Sequence, residues 1–522
     1  MIKLRLSCIG LALCALPTAL PAQEPGAPLS AIDWLDHVLS APSHSPESAP
    51  SSTDLGLVPA PAESLADQIA TIELDAVEID STGLFRAERI GLPRNFWGPM
   101  PLEEALESIA ALPQDTMPSA LRFSLRVLMA EFAPPWGLEP QERGLLLDAR
   151  VEQLIAQGAL EQASQLIEAA PERTASLNAR AFDIALLLGE EDRACARMSG
   201  QIALDYGQAA QIFCTARRGD WQAAYTSLQV SRSLGLVTGA EAAMLTRFLE
   251  EEENEFLLPP PQEVTPLLWR IMEALGDPVI TANLPLAYAH ADLRGTSGWR
   301  AQLDAAERLT RASAMEPNRL LGLYTERRPA ASGGLWERVQ AIQRLEQAIN
   351  AGDIDAAGAA LVQTWPLFAA VELEHALAEM LAGVMAYLPL SGEAADKLWR
   401  MLLLTGEAPE RMRALAPDTA LGRFMIALSQ GEALPAIASP ARAEAIALGL
   451  ADDALSDHDE VQALIAQGAL ARVLFDAFDL VADAAAGDLQ AVARGLYRLR
   501  ALGLEAEARQ IGLELLLLER RG

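Results

Sequence analysis

Few side chains in this sequence combine a reactive group with a spacing that chemistry could use. The five histidines are His37, His44, His290, His375 and His458, and none belongs to an HExxH or other dense metal box. Glu372, His375 and Glu379 stand at i, i+3 and i+7, and Glu-x-x-His is half of a di-iron ligand set. The second copy such a centre needs is missing, so the stripe reads as a solvated helix face and no metal is assigned. Gly-x-Ser-x-Gly is absent, and the nearest string, Gly295-Thr-Ser-Gly298, lacks the spacing of a nucleophile elbow. Ser297 reads instead as a helix N-cap. Lysine occurs only as Lys3 and Lys397, and nothing resembling GxxxxG precedes the second, which excludes a P-loop. Paired carboxylates are too common in so acidic a chain to nominate an acid–base couple. No catalytic residue and no cofactor follow from the sequence.

The charge balance points to contact rather than catalysis. The formal net charge over 522 residues is -31, so long-range forces repel nucleic acid and anionic lipid. One window reverses the sign. From Arg294 to Arg344 nine arginines meet five acids, a net of +4, and the same stretch holds Trp299, Tyr324 and Trp336. Arginine with aromatics is the composition of contact patches. The candidate contacts with a protein partner are Arg294, Trp299, Tyr324, Arg327, Arg328 and Trp336, with Arg327 and Arg328 as anchors beside the glycine-containing loop that ends at Gly334. The competing expectation is that these arginines pair with acids on neighbouring helices. The run Glu250 to Glu253, followed by Pro259 to Pro261, reads as a solvated helix end and loop.

Those side chains need elements to carry them, and the first elements concern address. Lys3 and Arg5, the apolar run Leu6 to Leu16, and Pro17 to Ala22 form a secretory signal over residues 1–22, which places the mature chain in the periplasm. No later segment offers ~20 uninterrupted apolar residues, so no membrane span is expected. Cys195 and Cys214 remain after the signal, and an even pair in an oxidising compartment is read as a disulfide. Residues 23–64 hold a short helix over Ile32 to Leu39 and then a Pro/Ser/Ala-rich linker. A small β element is expected within 65–95, because Ile69 to Asp80 alternates apolar with polar residues.

From Pro101 onward the period is helical. Pro101 reads as the first helical position, followed by Glu103 and Glu104, and Leu121, Leu125, Leu128 and Phe132 mark one face. Thr238 to Glu241 reads as a capping box. A glycine followed two, five and nine positions later by apolar or small residues recurs at Gly219, Gly352 and Gly487, and Leu-Ile-Ala-Gln-Gly-Ala-Leu occurs at 154–160 and 464–470. This spacing predicts helical hairpins in three stretches: 96–258, 259–350 with the arginine window, and 351–522.

Gly-Asp-Trp-Gln-Ala-Ala at 219–224 and Gly-Asp-Ile-Asp-Ala-Ala at 352–357 resemble the turn between helices of tetratricopeptide-like repeats. The chain also resembles an uncharacterised group of exported alphaproteobacterial proteins, on segments such as Ala289-His-Ala-Asp-Leu-Arg294 and Tyr324 to Gly334. Some of that group carry an antifreeze glycopeptide polyprotein label, which implies iterated Ala-Ala-Thr tripeptides that are absent here. The resemblance implies no activity and no site. The expected architecture is an all-α, degenerate hairpin solenoid with a small β element near the N-terminus. Its expected work is a periplasmic scaffold or adaptor for a cell-envelope protein, because stacked hairpins make long concave surfaces. The alternative is a cell-envelope polysaccharide-processing enzyme or its helical accessory subunit, since some lytic transglycosylases carry a helical superhelix beside the catalytic domain.

Overall fold

A computed structural model describes residues 78–197, 206–250, 263–277, 279–329, 331–451 and 455–520. The stretches expected to form a signal and a linker with a short helix, and the acidic run at 251–253 with its prolines, lie outside these residues. The fold is all-α, and the described residues belong to one unit spanning Leu74–Gly522.

Glycine followed by aspartate starts the hairpins. Gly219, Gly352 and Gly487 hold φ of +91°, +67° and +113°, which a side chain would resist. Asp220, Asp353 and Asp488 then cap the next helix, accepting the backbone N–H groups of Ala223, Ala356 and Ala491. The residues five and nine places after each glycine are buried: Ala224 and Leu228, Ala357 and Leu361, Val492 and Leu496. The residue two places after is not, with Trp221, Ile354 and Leu489 exposed to 50%, 39% and 41%. That position is the first of its helix, at the rim of the hairpin, where the facing helix has already ended.

The hairpins pair Gly207–Arg217 with Trp221–Ser233, Leu335–Ala351 with Ile354–Ala369, Glu374–Met385 with Gly392–Thr405, and Leu470–Ala485 with Leu489–Ala501. The duplicated heptapeptide folds identically in both places, with Gly158 at φ +77° and Gly468 at φ +79° between helices ending at Ala156 and Ala466 and restarting at Leu160 and Leu470. Three end signals fall slightly differently. Pro101 is the N-cap of Leu102–Ala110 rather than its first residue, Thr238 caps Gly239–Leu249 without a side-chain bond, and Gly298 takes the cap expected of Ser297.

The β element is smaller than its pattern suggested and pairs at long range. Phe85–Arg86 runs parallel to Ala130–Glu131, whereas Ile79–Ser81, at the end of the alternating stretch, forms a 3-10 turn. Asp80 explains the turn: its carboxylate accepts the N–H groups of Gly144 (2.6 Å) and Leu147 (3.0 Å) at the start of the Leu145–Ala156 helix.

The chain closes on itself. Trp97 stacks on Phe475 with ring centroids 5.7 Å apart, and Phe123 meets Phe478 at 6.2 Å, so the first helices pack against the last. The main core runs from Ile79 to Leu518, and a second core from Phe182 to Met272 surrounds the cysteines. Among the described residues no helix is long and apolar enough to cross a membrane.

Cys195 and Cys214 are bonded, with Cα atoms 5.2 Å apart, joining Glu191–Arg197 to Gly207–Arg217. A loop of this size contributes about 3 kcal/mol in the chain-entropy account. The double serine variant is therefore expected to open the second core first, seen as proteolytic cleavage within 182–272 at urea concentrations that leave the rest intact. Peptide mapping of the unreduced, unfolded and alkylated protein should return the two cysteines cross-linked; alkylated Cys195 and Cys214 would refute the bond.

Candidate functional site

Four of the six candidate contact residues turn into the fold. Arg294 lies over the Trp269 ring at 5.5 Å, donates to the Ala291 carbonyl at 2.7 Å and pairs with Glu273. Trp299 is buried and donates its indole N–H to the Leu323 carbonyl at 3.0 Å, and Trp336 packs on it with centroids 5.2 Å apart. Tyr324 is fully buried. Its hydroxyl donates to Glu307 at 2.6 Å, and the same carboxylate receives Arg338 through Nε at 2.8 Å and Nη2 at 2.5 Å. Composition could not distinguish this from a contact patch, because arginine and aromatic side chains also make good cross-braces between helices.

Arg327 and Arg328 do face solvent, after the Pro317–Glu326 helix. Arg327 pairs with its neighbour Glu326 at 2.9 Å. The loop backbone beneath them is held: the Gln343 side-chain amide donates to the carbonyls of Tyr324 (2.7 Å) and Arg327 (2.6 Å).

A cleft that the sequence did not announce lies where the first helices meet the last. One chamber of about 530 Å³ is lined by Thr116 and Leu121 from the N-terminal side, Arg308 and Arg311 from Trp299–Arg311, and Ala482 and Ala485 from the C-terminal side. A neck of about 80 Å³ shares Pro118, Arg311 and Glu372 with it. Beyond the neck a second chamber of about 460 Å³ is lined by Ser119, Arg122, His375, Glu379 and Glu407 among others.

The hydroxyls of Thr116 and Thr310 are buried behind the walls of the cleft and present no surface to it. Ser313 and Glu372, both at the neck, have φ of +57° and +58° because each closes a helix, with the N–H groups of Ala314 and Leu373 returning to the carbonyls of Leu309 and Phe368.

Between neck and second chamber lies a charged knot, and it corrects the expected solvated stripe. Glu372 precedes the Glu374–Met385 helix instead of sharing its face, and His375 is buried. The imidazole Nε2 lies 3.2 Å from Glu514, Nδ1 lies 3.7 Å from Glu379, and Arg122 Nη2 is within 2.9 Å of both ring nitrogens while Nη1 pairs with Glu379. Ser119 completes it, donating its N–H (3.0 Å) and Oγ–H (2.5 Å) to the fully buried Glu514. Burial opposes charge on His375, but hydrogen bonds to Glu379 and Glu514 and the Glu514 charge raise its pKa. Burial likewise pushes Glu379 and Glu514 up, and the hydrogen bonds and charge of His375 bring both below the usual carboxylate value.

Chemically the knot ties three helices together. The carboxylate stands between the Ser119 hydroxyl and the imidazole, so the hydroxyl proton already points at Glu514 and not at a ring nitrogen that could activate the oxygen. Among the described residues no group of three or more His, Cys, Asp or Glu could hold a metal ion. Small residues and the arginines Arg308, Arg311 and Arg520 line the larger chamber. No family model, curated protein or solved structure matches the chain.

Proposed function

We propose that the protein is an exported helical-hairpin scaffold of the periplasm that holds an acidic protein partner of the cell envelope. The observation that carries the reading is the Arg327–Arg328 pair, two exposed cations on a loop whose backbone Gln343 fixes from behind. Exposed guanidinium groups can fork onto carboxylates. The net charge of -31 does not prevent this, because physiological salt screens it beyond ~8 Å and the local pair decides the contact. Export is supported by Lys3 and Arg5 ahead of a short apolar run, and a bonded cysteine pair suits an oxidising compartment.

The test is the double reversal Arg327→Glu with Arg328→Glu, with capture measured from an osmotic-shock fraction. Partner recovery should fall about tenfold or more, the equivalent of ~1.4 kcal/mol. Thermal stability should stay within ~0.5 kcal/mol of the parent, as for surface changes outside a packed network. Undiminished capture with a folded variant would end this reading.

A further inference from the structure

We propose that the two arginines of the partner surface are unequal: Arg328 is the first anchor for a partner carboxylate, and Glu326 withholds Arg327 until a second acid displaces it. The inference rests on the partner reading above and narrows that partner to a segment with clustered acids. The inequality starts in the backbone. Arg327 follows the Pro317–Glu326 helix with φ −137° and ψ 165°, an extended conformation, and Arg328 precedes Pro329, which disfavours helical backbone before it. Successive side chains of an extended segment project to opposite sides. One carboxylate therefore cannot be shared by both guanidinium groups, and each arginine acts in its own surroundings. The Gln343 amide holds the peptide that joins them, donating to the Arg327 carbonyl at 2.6 Å.

Those surroundings differ. Arg327 gives Nε–H (3.0 Å) and Nη2 (2.9 Å) to the same oxygen of Glu326, so one edge of its fork is already occupied. Arg328 is exposed and makes no hydrogen bond or ion pair among the described residues.

The pair that holds Arg327 is weak enough to be exchanged. Both of its members are well exposed, and an exposed ion pair is screened by water and salt. A partner with one acid gains only Arg328. A partner with two acids reaches Arg327 as well, but each such contact is offset by the Glu326 pair it breaks. Glu326 thus lowers the affinity for every acidic partner that needs both arginines, and it leaves contacts made through Arg328 alone almost unchanged.

Two measurements on the full chain decide the matter. Phenylglyoxal, which modifies accessible guanidinium groups, should label Arg328 of the parent faster than Arg327, by up to about fivefold, the range an exposed ion pair allows. Glu326→Gln should erase the difference. Capture is then measured for the protein that the parent retains from an osmotic-shock fraction and the double reversal releases. Glu326→Gln should raise its recovery by up to about fivefold, and Arg328→Gln should lower it by about fivefold or more. Glu326→Gln combined with Arg327→Gln removes the pair at constant net charge and should stay within about twofold of the parent. Glu337→Gln makes the same charge change on the helix after the loop and should gain less than Glu326→Gln. The inference is overturned if the two arginines of the parent react equally, if Glu326→Gln gains no more than Glu337→Gln, or if removing the pair costs as much capture as Arg328→Gln. Each of these ends this inference alone, whereas a parent that captures nothing ends the partner reading with it.

Discussion

Arg150→Met should destabilise the protein by about 3 kcal/mol, read as a lowered urea midpoint, although methionine fills much of the same volume. Arg150 is completely buried on the Leu145–Ala156 helix. Its Nε donates to the Leu128 carbonyl (2.9 Å), Nη1 to Thr82 (2.8 Å) and Asp80 (3.4 Å), and Nη2 to Ala130 (2.8 Å). The guanidinium therefore clamps the segment before the first strand to the segment that forms the second. Burial lowers its pKa to about 10 against the opposing pull of the Asp80 charge, so it stays cationic at neutral pH. Methionine would leave those carbonyls without their donors and Asp80 as a buried charge without its counterion. Lysine should recover less than half of the loss, since one ammonium cannot reproduce a planar fork that serves both edges. A midpoint shift worth less than ~0.5 kcal/mol would show that water or neighbouring backbone replaces the clamp.

This arginine also shows where sequence pattern stops being informative. Glycine, aspartate and the five- and nine-residue spacing are local signals, and the hairpins at Gly219, Gly352 and Gly487 form from contacts between adjacent helices. Arg150 sits in Leu-Leu-Leu-Asp-Ala-Arg-Val, where a long side chain reads as one that reaches to solvent. Its acceptors lie 20 to 70 residues away, and nothing local announces them. The arginine window fails for a related reason. Composition records that Trp299 and Tyr324 accompany arginines, but only the packing of Leu335–Ala351 beside them decides that both rings are buried. The charged knot had one legible trace: Glu514 stands between Leu513 and Leu515 in a run continuing to Leu518, and an acid embedded in such a run is either paired or functional. Its partners His375 and Ser119 come from distant helices, so the trace could point to a buried charge without naming what holds it.

That acid carries the second large effect. Glu514→Gln should cost about 3 kcal/mol near pH 6, because it removes one member of a buried pair and leaves the imidazolium of His375 with only the more exposed Glu379 against Arg122. Glutamine can still accept from Ser119, so the loss isolates the charge. The pH dependence follows from the directions of the shifts. His375 has a folded pKa raised above 6.5, so its contribution is complete below that value and disappears as pH rises through the folded pKa. Glu379 and Glu514 have folded pKa values lowered below 4.5, so theirs is complete above that value and is lost only as pH falls through the folded ones. The knot is thus strongest between about 4.5 and 6.5 and weakens on the alkaline side. Melting curves of parent and variant at about pH 6 and pH 8.5 should show a gap of several degrees that narrows at the higher pH, as the parent loses the charge the variant can no longer hold. A gap of the same size at both values would mean that Glu514 acts through shape and its Ser119 bonds alone. A variant as stable as the parent at pH 6 would mean that Arg122 and Glu379 hold the three helices without it.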